Sequence, residues 1–366
     1  MKKICIVAGA RPNFVKVAPL LRAFRKTDGA ECRLVYAGSE NDPMLESSLF
    51  DDLQMPRPDV YLGVDSQSLN EITAQVMGQL DNYLEQHPTD VVIVVDDLAS
   101  TMAAAITAKK RGIRVAHLVA GTRSFDISMP KEINRLVIDS LSDYLFTAGI
   151  KSNSVATREQ QSETAQTYMV GNILMDTLRY NLPRFHAPSL LFATHSSVFA
   201  SDEQAKRHYI VLTLNRRALL SDEETLRQML KTLTDEVADV PVIAPLRKDA
   251  REVVARLLPA TSPLLIIPPL SYLEFGWLTA NACGIVTDSG NVAEEATFNG
   301  VPCITLNDYT EHQETVTIGT NVLVGSDASK LAAAVRQMVA GKWKKAALPD
   351  RWDGRSAERI VQILLQ

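Results

Sequence analysis

A short polar run set between two ordered stretches carries the strongest chemical signal in this sequence. Thr287-Asp288-Ser289-Gly290-Asn291 follows the apolar segment Gly284–Val286 and opens the helical stretch Val292–Asn299. A strand that ends in small polar residues and leads into a helix presents unpaired backbone N–H groups, which together with the helix dipole suit a phosphate. The same residues serve equally well as a plain N-cap through Asp288 or Ser289. Glu294 and Glu295 follow within the first turns, where a carboxylate complements the dipole. Close to a bound phosphate such a carboxylate also accepts both hydroxyls of a ribose, and Glu295 is the preferred candidate. In the first half of the chain, Asp96-Asp97 closes the apolar run Val91–Val95 and His117 ends another. Asp96 reads as a loop-capping group, and His117 as a structural imidazole at least as readily as a catalytic one.

The elements that must position these residues alternate. Strands are expected at Lys3–Ala8, Glu31–Ala37, Asp90–Val95, Arg114–Val119, Tyr144–Thr147 and Thr167–Val170. Between them lie helical stretches at Phe14–Lys26, from about Pro43, at Leu69–Gln86 and at Thr101–Arg111. Apolar strands alternating with amphipathic helices indicate parallel sheets covered on both faces. The pattern lapses from Pro183 to His208, where Pro183, Pro188, Ser189, Ser196, Ser197 and Ser201 suggest a linker. A second series then runs through Tyr209–Thr213, Val240–Ala244, Leu264–Ile267, Gly284–Thr287, Cys303–Leu306 and Thr320–Val324. Two Rossmann-like halves are therefore expected, with a ligand beyond the carboxyl ends of their strands, in the cleft between them.

Composition narrows the partners. The chain has 366 residues, enough for two cores, with 46% hydrophobic and 22% charged residues and a net charge of -5. That charge offers no attraction for nucleic acid or an anionic membrane, so an anionic ligand needs local donors. The run Ile4–Ala8 is too short for a signal peptide, and no stretch approaches the length of a membrane span. Cys5, Cys32, Cys283 and Cys303 lack CxxC spacing and read as free thiols of a cytoplasmic protein. No histidine stands at metal-ligand spacing, so a metal site is not expected. The turn Gly9-Ala10-Arg11-Pro12 is not a GxGxxG, and Walker A and GxSxG motifs are absent. Lys109-Lys110-Arg111 reads as a solvated helix end, and Met102 and Trp277 as core or cleft wall.

An ordered set of matches runs along nearly the whole chain. It comprises Gly9-Ala10-Arg11-Pro12 with Lys16 and Ala18-Pro19-Leu20; Asp97 with Ser100-Thr101; His117 with Ala120-Gly121 and Arg123; and Glu132-Ile133-Asn134-Arg135. It continues with Val170-Gly171-Asn172 and Asp176, then Pro269-Leu270 with Tyr272-Leu273 and Phe275. Asp288-Ser289-Gly290 with Glu294-Glu295-Ala296, Thr310-Glu311 with Glu314, and Asp353-Gly354 with Ala357 and Ile360 complete it. In these segments the chain resembles the UDP-N-acetylglucosamine 2-epimerase family of the non-hydrolysing type. The resemblance implies a GT-B fold: two facing Rossmann-like domains with parallel sheets, residues 1–170 and 171–352, the helix within 353–366 returning to the first. It implies no cofactor, a UDP-sugar as partner, and a homodimer working in surface polysaccharide synthesis. By the same resemblance Ser289 and Gly290 face the diphosphate, Glu295 the ribose and Phe275 the uracil, with Asn291 beside them in the substrate site. Arg11, Lys16, Arg135, Asn215 and Arg216 join the substrate contacts.

The departures from the family fall around the sugar. Inversion at C2 by elimination and re-addition of UDP needs a base for a weakly acidic proton, an acid on the opposite face, and donors on the departing diphosphate. Asp97 is retained, but the family's next glutamate is Val119, and the first glutamate of its PEEINR run is Lys131. Glu132 survives one residue on, which on a helix points about 100° away. The family's histidine in the THRRE-like segment is Asn215, its RP pair is His312-Gln313, and the second glycine of DSGG is Asn291. The catalytic candidates are therefore Asp97, Glu132, Lys131 and His117. Three functions fit such a chain: a 2-epimerase with altered acid–base groups, a glycosyltransferase or nucleotide-sugar hydrolase on the same scaffold, or a UDP-sugar-binding protein without turnover.

Overall fold

The structure is a computed structural model that describes residues 1–43, 45–189, 208–258 and 262–366. The chain divides into two compact units, Met1–Tyr180 with Asp350–Gln366, and Asn181–Pro349. Ser196, Ser197 and Ser201 of the expected linker lie outside the described residues, whereas Pro183 sits in a 3-10 turn, Leu182–Arg184.

The first unit alternates strand and helix. It begins with β1 (Lys2–Ala8), α1 (Arg11–Arg25), β2 (Ala30–Tyr36), α2 (Ser47–Leu53), β3 (Val60–Tyr61) and α3 (Leu69–Gln86). β4 (Val91–Val95), α4 (Ala99–Lys110), β5 (Arg114–Leu118) and α5 (Pro130–Leu141) follow. β6 (Tyr144–Thr147), α6 (Ile150–Glu159), β7 (Gln166–Met169) and α7 (Ile173–Asn181) complete the series. The seven strands form one parallel sheet in the order β3-β2-β1-β4-β5-β6-β7. β4, Val-Val-Ile-Val-Val, is buried at every residue, as a central parallel strand covered on both faces requires. β3 had no counterpart in the sequence pattern, because two residues are too few to show a period.

The second unit holds β8 (Ile210–Thr213), α8 (Arg217–Ser221), α9 (Glu223–Glu236), β9 (Val242–Pro245) and α10 (Lys248–Leu257). It continues with β10 (Leu264–Ile267), α11 (Tyr272–Ala280), β11 (Gly284–Thr287) and α12 (Gly290–Asn299). β12 (Cys303–Thr305), α13 (Glu314–Thr317), β13 (Asn321–Leu323) and α14 (Ala328–Val339) close it. Its sheet is also parallel, in the order β10-β9-β8-β11-β12-β13. One face packs α9, α10 and α14 through Leu226, Leu230, Val254, Leu331 and Val335; the other packs α11 and α12 through Leu278, Ala293 and Ala296.

The last helix, α15 (Ser356–Leu365), packs on α1 in the first unit. Its opening N–H groups, at Ser356 and Ala357, donate to the Asp176 carboxylate of α7 at 3.1 and 2.8 Å. Trp352 is fully buried and donates its indole N–H to the Ala148 carbonyl at 3.0 Å. These contacts, with the Thr177 hydroxyl on the Val15 carbonyl, hold α7 to the first unit, ten residues beyond the boundary expected at residue 170.

Each sheet reverses its winding once, between β1 and β4 in the first unit and between β8 and β11 in the second. Such switch points open a crevice at the carboxyl ends of the strands. The loops that leave them carry Gly9–Arg11 and Asp96-Asp97 in one unit, and Asn215-Arg216 and Asp288-Ser289 in the other. Among the described residues no helix is long and apolar enough to cross a membrane, and no cluster of three or more His, Cys, Asp or Glu is arranged to hold a metal ion.

Candidate functional site

In the first unit the turn after β4 is held from three sides. Asn13 accepts from the Gly9 and Ala10 N–H groups at 2.9 and 3.3 Å, opening α1, and its amide donates to Asp96 at 2.9 Å. Lys16, one turn on and buried, reaches the same Asp96 carboxylate at 2.6 Å. Asp96 takes a left-handed conformation, φ 59°, which a short polar side chain tolerates. It caps the turn, as its sequence context suggested. Arg11 is half-buried with its Nε lacking a hydrogen-bond partner.

The neighbouring Asp97, in the same turn, is engaged by α5. Lys131, Asn134 and Arg135 stand at helical spacing and converge on it. Arg135 donates to Oδ2 through Nε at 2.8 Å and Nη2 at 2.5 Å; Asn134 donates to the Asp97 carbonyl at 2.8 Å; and Lys131 Nζ lies 3.4 Å from Oδ1. Burial pushes the Asp97 carboxyl up, but Lys131 and Arg135 outweigh it and hold the group below the usual carboxylate range. Lys131 keeps most of its side chain in solvent.

Glu132 points elsewhere, as its one-residue offset requires. It is buried and accepts from the Ser124 N–H at 2.8 Å, the Ser124 hydroxyl at 2.9 Å and the Phe125 N–H at 3.1 Å, with Arg135 at 3.2 Å. Burial raises its carboxyl, and these donors bring it below the ordinary value. It holds the loop before α5. His117 is likewise buried, between Asp139 and the Asp96 carbonyl. Val119 keeps φ 73°, a left-handed backbone that is costly for a β-branched residue.

In the second unit Asp288 settles the choice between cap and open helix end. Its Oδ2 accepts from the N–H groups of Asn215 and Arg216 at 2.7 and 2.8 Å, so the carboxylate ties the loop after β8 to the loop after β11. No side chain caps α12. Ser289 is half-buried, and Gly290 and Asn291 are exposed. The first N–H groups of α12 thus remain available at the sheet's switch point. The Asp288 Oδ1 is buried without a hydrogen-bond partner, and burial raises this carboxyl. Arg216 donates to Asn307 Oδ1 at 2.5 Å and lies 5.5 Å from the centre of the Tyr309 ring, while Asn307 donates to the Asp288 carbonyl at 3.3 Å.

One turn into α12, Glu295 is buried, and burial together with the Glu294 charge pushes its carboxyl up to about 8. Glu294 faces His312 at 3.3 Å. Phe275 is half-buried against the cluster of Tyr209, Leu278 and Ala293. Asn215 exposes its side chain.

Thus Arg11, Lys16, Asp97, His117, Lys131, Glu132 and Arg135 gather at strand ends of the first unit, and Asn215, Arg216, Phe275, Ser289, Gly290, Asn291 and Glu295 lie in the second. Asp139, Asn307 and Tyr309 were not singled out from sequence. Asp139 stands four residues after Arg135, a spacing that could have suggested a shared helix face; Asn307 and Tyr309 carry no local signal.

The family model described as UDP-N-acetylglucosamine 2-epimerase matches residues 22–365. The chain belongs to the UDP-N-acetylglucosamine 2-epimerase family. It is 34% identical to the UDP-N-acetylglucosamine 2-epimerase of Methanocaldococcus jannaschii, covering 99% of this chain and 98% of the relative. It is 30% identical to the UDP-2,3-diacetamido-2,3-dideoxy-D-glucuronate 2-epimerase of Pseudomonas aeruginosa, covering 99% of each. The crystal structure of the M. jannaschii enzyme in complex with UDP-GlcNAc and UDP superposes with a TM-score of 0.84 over 99% of both chains. The Neisseria meningitidis enzyme bound to UDP-GlcNAc, 25% identical, gives 0.87 over 100% of both. With its two parallel Rossmann-like sheets, this member of the epimerase family has the GT-B class of fold.

Proposed function

We propose that this chain is an epimerase-type protein that binds a UDP-sugar, UDP-N-acetylglucosamine or a close relative, with the nucleotide on the second unit. The observation that carries the proposal is the uncapped opening of α12 at the switch point, where Asp288 is turned away to pin the loop after β8. The diphosphate would meet the N–H groups at Gly290 and Asn291 beside the Ser289 hydroxyl, the Ser289 N–H being taken by the Thr287 hydroxyl at 3.0 Å, with Arg216 as a nearby cation. Glu295 would take the ribose hydroxyls and Phe275 would flank the uracil. In the first unit, Arg11 has an unpartnered Nε and Lys131 lies largely in solvent beside Asp97. The relatives crystallised with UDP-GlcNAc support the ligand class. A homodimer in the cytoplasm belongs to the same proposal.

Inversion at C2 would fall to Asp97 with Lys131 beside it. A specific observation favours a second function, binding without inversion. Asp97 is doubly paired with cations and held below the usual carboxylate range, Glu132 is committed to its loop, and Val119 has no proton to move. A base for a weakly acidic C–H needs proton affinity, and ion pairing removes it.

Incubation with UDP-GlcNAc in D2O, followed by NMR of the sugar H2, separates the two. Deuterium entering C2, abolished in Asp97→Asn, is expected of an epimerase; UDP-GlcNAc binding by calorimetry with an unchanged H2 signal identifies a binding protein. Absence of any UDP or UDP-GlcNAc binding would overturn both.

A further inference from the structure

His117 is 1% exposed, and both of its ring nitrogens face oxygen acceptors. Nδ1 lies 2.5 Å from Asp139 Oδ1, and Nε2 lies 2.9 Å from the backbone carbonyl oxygen of Asp96. The carbonyl has no proton to offer. Asp139 lies below the usual carboxylate range despite its burial, and the Arg123 guanidinium 2.7 Å from Oδ2 favours its ionised form whatever the state of the imidazole. A neutral imidazole carries one N–H and would set its other lone pair against one of these oxygens. We infer that His117 is doubly protonated and acts as a positioning residue, joining the turns after β4 and β5 from beneath.

Asp139 Oδ2 also accepts from Arg123 at 2.7 Å, and Arg123 Nε reaches Glu159 at 2.9 Å. Glu159 is partly exposed and also meets Arg158 at 3.3 Å, so within the buried part of the cluster Asp139 stands between Arg123 and His117. The other charged groups of the β4 turn are matched among themselves, Lys16 with Asp96 and Arg135 and Lys131 with Asp97 and Glu132.

The geometry shows what the imidazolium holds. Asp139 Oδ2 accepts from the Gly121 N–H at 3.0 Å, fixing the turn after β5, where Val119 and Gly121 both have φ 73°. A Cβ at Gly121 would lie 2.0 Å from the Ser152 carbonyl oxygen, so no other residue fits this turn. The Nε2–H fixes the Asp96 carbonyl and with it the left-handed Asp96, whose carboxylate receives Lys16 and Asn13. The next residue along is Asp97. With both nitrogens engaged, His117 has none left for a ligand, so it supports Asp97 and Lys16 rather than exchanging protons with a substrate. This holds whatever reaction the chain performs.

The test uses the full-length chain with 15N-labelled histidine, the His117 signals being those missing from His117→Gln. Long-range 1H–15N spectra at about pH 7 are expected to show protons on both His117 ring nitrogens. An unprotonated nitrogen at either position overturns the inference. Asp139→Asn is expected to strip one ring proton and to speed amide exchange at Asp96, Asp97 and Leu98 by about tenfold or more. Proton loss without faster exchange overturns the positioning role. If Asp139→Asn does not fold, the wild-type chain decides the same point under rising pH: loss of a ring proton must coincide with a fall in protection at these three amides relative to their intrinsic, base-catalysed exchange rates, and a ring proton lost with protection unchanged refutes the role.

Discussion

Glu295 and Asp97 are both buried carboxylates, and their surroundings drive them in opposite directions. Asp97 faces two cations, so its ionised form is favoured; it contributes stability above the ordinary aspartate range that is lost as pH falls through its lowered value. Burial, with a like charge beside it at Glu294, raises the Glu295 carboxyl from 4.5 to about 8. The native state therefore keeps a proton that the unfolded chain releases, and stability falls as pH rises from about 4.5 to about 8. Glu295→Gln removes that slope. Relative to the parent, the variant is expected to gain a few kcal/mol more at the upper end of this window than at the lower, measured by urea unfolding at both ends. A constant offset would show that Glu295 is not held protonated. Position 119 shows a different effect: valine keeps the left-handed backbone of its turn but brings no titratable group to it.

Among the elements, the docking of the C-terminal segment depends on backbone crossings that leave no room for a side chain. Gly171 has φ 100°, and a Cβ there would lie 2.0 Å from the Arg351 carbonyl oxygen. Gly171→Ala must strain the backbone and displace the segment that brings Trp352 and α15 to the first unit. The expected cost is about 3 kcal/mol, measured by urea denaturation, and an unchanged midpoint would show that the segment does not press on Gly171. α5 illustrates a division of labour within one helix: Lys131, Asn134 and Arg135 address Asp97, while Glu132 and Asp139 hold the loops before and beside it. A helix that anchors two loops and a site carboxylate cannot shift without moving all three.

In the whole molecule, the two units carry different chemistry. The second presents an open helix end with Arg216 and Glu295, and the first an ion-paired Asp97 among cations. UDP alone is therefore expected to protect amides at 288–293 and 215–216 from hydrogen exchange while leaving the Asp96–Leu98 turn little changed. Mass spectrometry of exchanged peptides checks this, and protection centred on the first unit would contradict the placement of the nucleotide. Ligand binding also raises stability, by about 2.7 kcal/mol at a hundredfold excess over Kd, so a thermal shift with UDP offers a second measure.

Much of this architecture was legible in the sequence. Apolar runs such as Val91–Val95 and Gly284–Thr287 could only be buried parallel strands, and the ordered motifs from Gly9 to Ile360 specified the family and its two sheets. The motifs also located the residues at the strand ends, because a loop that leaves a parallel strand is tied to that strand. They did not reveal what those residues touch. That Asp288 abandons the helix end to pin Asn215 and Arg216, 73 and 72 positions away, depends on two loops meeting at a switch point. That His117 faces Asp139 and the Asp96 carbonyl depends on β4, β5 and α5 packing together. Charge state and direction of a buried side chain are set by neighbours distant in the chain, so the tertiary structure alone decided which carboxylates stand free and which hold the frame.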